Sequence, residues 1–96
     1  KNLLKNYNFI VSEFKNQKLV EVSKSEGGLF CFINIKNLKI KSDKFCYELL
    51  KKYAIAATPG IFFGKQWNNF VRISLAIDSL KFKTAIKKLK KFVNIY

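Results

Sequence analysis

Phe70-Val71-Arg72-Ile73-Ser74-Leu75 is the stretch on which the fold of this 96-residue chain turns. Its alternation is that of a β-strand: Val71, Ile73 and Leu75 share one face, and Phe70, Arg72 and Ser74 share the other. A strand with one apolar face needs a sheet partner and a covering layer. Upstream, residues 29–35 offer the partner. Leu29, Cys31, Ile33 and Ile35 fall on one face, Phe30, Phe32 and Asn34 on the other, so this strand is expected to be covered on both sides. Two shorter strands are expected at 19–22 and 55–57, the second ended by Thr58-Pro59-Gly60 because proline cannot donate to a ladder. Residues 23–28 read as a polar, glycine-ending break, and 64–69 as a loop.

The covering layer is helical. Leu3, Leu4, Tyr7, Ile10, Val11 and Phe14 recur at three and four, which predicts a helix over 3–14. Ser42 is the expected N-cap of a second helix, with Asp43 in its first turn, running to Tyr53 and burying Phe45, Cys46, Leu49, Leu50 and Tyr53. A third helix, 79–94, carries the stripe Phe82, Ala85, Ile86, Leu89, Phe92 and Val93 against a lysine-filled outer face. The expected order is α-β-β-α-β-β-α: one α+β domain over 1–96, a small, mostly antiparallel sheet with helices packed on one face. No internal repeat interrupts it.

Composition excludes several chemistries. Histidine is absent, so no Ser-His-Asp triad, histidine-activated cysteine or histidine metal site exists. Cys31 and Cys46 are flanked by apolar residues and have no Cys-x-x-Cys partner, so no metal site is expected; small buried thiols in a reducing cytoplasm are. No apolar run reaches the ~18 residues of a membrane span. Lys5 and Glu13 interrupt the first helix, and no signal peptide is expected. The chain begins at Lys1 and is expected to be the end of something longer.

Net charge is +13. Such an excess suits a polyanion partner. It also suits codon bias, because Lys, Asn, Ile, Phe and Tyr, all rich in A+T codons, are abundant together. Within that bias one residue stands apart. Eighteen of the nineteen cations are lysine; the exception is Arg72, in mid-strand. A long charged side chain there is costly unless paired. Arginine offers a flat fork that grips a carboxylate through two parallel hydrogen bonds, which lysine cannot do. The carboxylate is that of a ligand or of one of the six acids of the chain.

Gly27-Gly28-Leu29-Phe30, then Pro59-Gly60-Ile61-Phe62-Phe63-Gly64, then Val71-Arg72-Ile73-Ser74-Leu75-Ala76, followed by an acidic cap and a long last helix, form an ordered set. The set resembles the C-terminal small domain of class I/II, fold type I, pyridoxal-phosphate-dependent aminotransferases across nearly all of 1–96. The departure is Lys24 or Ser25 where the family often has proline. The resemblance implies that Arg72 binds the substrate α-carboxylate, with Gly27, Gly28, Pro59 and Gly60 shaping the strand entry and the turn beside the cleft. It implies pyridoxal 5'-phosphate as cofactor, an electron sink while an amino group moves between an amino acid and a 2-oxo acid. The large domain of the same enzyme would bind it, and the full-length protein would be a homodimer. The family's Ser-x-x-Lys is matched only by chance at Ser12 and Lys15, on an amphipathic helix. No catalytic or cofactor-binding residue is therefore expected in this chain, which alone should be inactive. Two alternatives are a small basic RNA-binding module and a non-catalytic interaction domain. Against the first, Asn34 stands where an RNA-recognition strand would present an aromatic.

Overall fold

The computed structural model describes residues 2–23 and 28–95. Three helices, α1 (Asn2–Phe14), α2 (Ser42–Tyr53) and α3 (Ser79–Val93), and four strands, β1 (Glu21–Val22), β2 (Phe30–Asn34), β3 (Thr58–Pro59) and β4 (Phe70–Ser74), follow one another in the expected order. The sheet runs β1-β2-β4-β3 with every neighbouring pair antiparallel. Residues 24–27, with Gly27 and the Lys24 or Ser25 position, lie outside the described residues.

Register fixes the two faces. Cys31 sits opposite Ile73 and Ile33 opposite Val71, so these four point the same way. All four are buried beneath Ile10 and Phe14 of α1, Phe45 and Leu49 of α2, and Phe82, Ile86, Leu89 and Phe92 of α3. Phe45 and Phe92 meet edge to face at 5.1 Å between ring centres. The helices thus close one sheet face with an apolar core, the dominant stabilising term in so small a chain.

One buried polar residue of this core escapes the helical pattern. Asn6, fully buried on α1, donates through Nδ2 to the carbonyls of Leu75 (3.0 Å) and Ile77 (2.9 Å) and accepts from Ser79 Oγ at 3.1 Å. It ties the first helix to the crossing between β4 and α3. Asp78 caps α3, its carboxylate accepting from Lys81 N at 3.3 Å, as the acidic residue there led us to expect.

Four local expectations are corrected. Leu4 and Leu50 are not core residues; they are 68% and 53% exposed. Ser42 does not cap α2 with its side chain. It is buried in the first turn, where Oγ donates to Asn68 Oδ1 (2.8 Å) and accepts from Ile61 N (3.1 Å). The third strand is Thr58–Pro59, not 55–57. It is an edge strand, where a missing N–H is tolerated. The loop expected at 64–69 contains a 3₁₀ turn, Lys65–Trp67, and another, Gly60–Phe63, precedes it.

Both cysteines are free and buried, as expected. Burial pushes the Cys31 thiol up to about 12, and burial with the Asp43 carboxylate nearby pushes Cys46 up to about 12. Neither thiol should react with a chromogenic disulfide reagent until denaturant unfolds the chain; native-state reaction at the rate of a free thiol would contradict this. The unfolded thiols release their protons near 9, before the folded ones do, so this pair should erode stability as pH rises above 9.

Candidate functional site

The second face of the sheet is where the chemistry gathers. Phe32, Arg72 and Thr58 stand in one row across β2, β4 and β3, and Phe30 and Ser74 form the next row. At the other end of this face the two 3₁₀ turns fold back over the sheet. Phe63 meets Phe32 edge to face at 6.1 Å, Trp67 lies 6.3 Å from Phe32, and Trp67 meets Phe70 at 5.3 Å. Half of the face is thereby covered from within the chain, and Phe32 is half-buried. The cover expected on both sides of this strand is met at Phe32 and not at Phe30, which is 37% exposed. In the sequence Phe63 stands within the Pro59–Gly64 motif and Trp67 carries no motif, and neither falls in a period that says where it would fold.

Arg72 projects from this row into the open half. Its guanidinium carbon stands 3.9 Å from the centre of the Phe30 ring and 5.4 Å from that of Phe63. Nη2 makes one long contact, 3.5 Å, with Thr58 Oγ1. Phe30, Ala56, Ala57, Thr58, Arg72 and Ser74 line an open depression of about 140 Å³. The small side chains of Ala56, Ala57 and Ser74 leave the space beside the guanidinium unfilled.

Among the described residues no carboxylate pairs with Arg72. Glu48 is engaged by Lys52 (3.9 Å), Glu13 by Lys90 (3.8 Å), and Asp78 by the N-terminus of α3. Asp43 accepts from Lys44 N, Glu21 lies exposed on β1, and Glu26 lies outside the described residues. A half-buried guanidinium that lies over an aromatic ring, with none of the described acids beside it, has in-plane donors that can pair with an anion.

Larger grooves occur elsewhere, of about 390 Å³ beside Tyr53 and Leu80 and about 530 Å³ beside Leu38 and Asp43. They are lined mainly by aliphatic and lysine side chains, so volume alone does not locate the site. Ser12 and Lys15 are exposed on and just after α1, and the Ser12 hydroxyl donates to the Phe9 carbonyl. No described lysine is buried, so none fits the role of a lysine bonded to pyridoxal phosphate, which needs a desolvated pocket. No described helix is long and apolar enough to cross a membrane.

Compared with known proteins, the chain is 32% identical over 82 residues to an aspartate aminotransferase of Pyrococcus horikoshii, a match that takes in 85% of this chain and 21% of that enzyme. The crystal structure of an aromatic aminotransferase from the same organism superposes with a TM-score of 0.87 at 24% identity, over 98% of this chain and 25% of the other. Cystalysin from Treponema denticola, whose crystal structure contains pyridoxal 5'-phosphate, superposes with a TM-score of 0.86 at 23% identity, over 98% of this chain and 24% of cystalysin. These two structures speak for the fold. The chain thus spans a quarter or less of the length of each of these three proteins. No family model matches it.

Proposed function

The chain is similar over most of its length to the C-terminal small domain of fold type I pyridoxal-phosphate-dependent aminotransferases, and we propose that it serves as that domain in a transaminase. In this reading residues 1–96 are one domain. The cofactor, pyridoxal 5'-phosphate, is held by a large domain in the same polypeptide, the full-length protein is a cytoplasmic homodimer, and its substrates are an amino acid and a 2-oxo acid. The residue that acts from this domain is Arg72. Its fork holds the α-carboxylate that both substrates share, and the domain covers one end of the substrate.

The observation that carries the reading is the guanidinium itself: the one arginine in a lysine-rich chain, in mid-strand, stacked on Phe30, beside an open depression and without a described acid. Holding the carboxylate fixes one end of the substrate, so the bond to be broken at Cα is presented in one orientation. That is worth part of the barrier as well as part of the affinity. Substitution of Arg72 in the full-length polypeptide, with transamination and carboxylate affinity as readouts, is the direct test.

A complementary test uses the isolated chain. Residues 1–96 mixed with pyridoxal phosphate and reduced with borohydride should show only scattered, substoichiometric labelling, because the described lysines are solvated. Stoichiometric labelling of a single lysine would place the cofactor site in this domain and overturn its assignment to the large one.

A further inference from the structure

Building on the carboxylate role of Arg72, we propose that Phe30 is a positioning residue, whose ring 3.9 Å from the guanidinium sets the plane of the Arg72 fork before substrate arrives. Phe30 belongs to the row next to that of Arg72, across the β2–β4 ladder, which places it on the diagonal that long and aromatic side chains span. All the N–H donors of a guanidinium lie in its plane. A ring stacked on the face therefore restrains the plane and consumes no donor. Thr58 Oγ1, opposite Arg72 on β3, touches one nitrogen at 3.5 Å, and Phe63 stands 5.4 Å away. These contacts together restrict a side chain that would otherwise lose several rotamers on binding its ligand, and such preorganisation appears as affinity.

The exposure of Phe30 supports the same reading. The ring faces the depression and not the helical core, which is closed by Cys31 and Ile33 from the alternate positions of the same strand. An aliphatic side chain would cover the strand equally well. It would lack the negative ring face that attracts the cation.

The test compares Phe30→Leu, Phe30→Tyr, Arg72→Lys and the Phe30→Leu/Arg72→Lys double variant in the full-length polypeptide. Readouts are KM, kcat and the inhibition constant of propionate, a carboxylate with no amino group. Phe30→Leu should raise KM and the propionate constant together, on the order of fivefold, with kcat less affected. Phe30→Tyr, which keeps the ring, should recover most of that loss. In the Arg72→Lys background the Phe30→Leu effect should shrink to about twofold or less, because a point charge has no plane to set. Wild-type KM and propionate affinity in Phe30→Leu, beside a crippled Arg72→Lys, would overturn the positioning role alone. So would a Phe30→Tyr variant as impaired as Phe30→Leu. Normal kcat/KM in Arg72→Lys would instead overturn the carboxylate reading on which the proposal rests.

Discussion

Arg72→Lys in the full-length polypeptide is expected to lower kcat/KM for transamination on the order of tenfold to a hundredfold. The charge survives the change; the second hydrogen bond and the planar stack do not. A charge-assisted hydrogen bond contributes about 1.5–3 kcal/mol, and each 1.36 kcal/mol is tenfold in rate. Arg72→Ala removes charge and fork together and should cost more. The loss should fall on both KM and kcat, since the carboxylate contact anchors the substrate and orients its Cα bond. Absorbance of bound pyridoxal phosphate should stay at wild-type intensity in both variants, because in the proposed reading the large domain holds the cofactor. Thermal stability should change little: Arg72 is half-buried, has no ion pair among the described residues, and makes one long hydrogen bond to Thr58. Near-normal kcat/KM for Arg72→Lys would leave the residue structural.

The parts of this fold that could be read from sequence are those governed by periodicity. Ile10 and Phe14, Phe82 and Ile86, and the alternating Val71 and Ile73 are all buried where a period of three to four or of two puts them. Arg72 could be read because it departs from the lysine bias around it. That none of the described acids pairs with it could not, since that depends on where Glu48 and Asp78 end up, one on its own helix and one at a cap. What escaped reading is held by contacts distant in sequence. Asn6 looks like a polar helix position until Leu75 and Ile77 arrive, 69 and 71 residues later. Ser42 carries the signature of a cap, yet its hydroxyl serves a buried link to Asn68 and Ile61 that no local pattern announces. The residues that frame the guanidinium fall between these cases. Phe30 is on the expected face of an expected strand, whereas Phe63 reaches it from a turn with no period at all.

That turn should fail at one position. Gly60 is buried where β3 passes into the first 3₁₀ turn, and a Cβ there would run into the carbonyl oxygens of Trp67 and Phe70. Both obstacles are backbone, so no rotamer change relieves the clash. The segment itself must move, although Ser42 Oγ holds it through Ile61 N, and Asn68 holds its far end. Gly60→Ala should therefore destabilise by about 3 kcal/mol, and Gly60→Val by more. Displacement would also carry Phe63 away from Phe32 and from the Arg72 guanidinium, so the open half of the face would widen. In the full-length polypeptide the expected signature is a lowered melting temperature together with a reduced kcat/KM, while bound pyridoxal phosphate keeps its absorbance. Gly60→Ala melting together with wild type would show that the turn yields without cost and that the close backbone approach does not hold the site together.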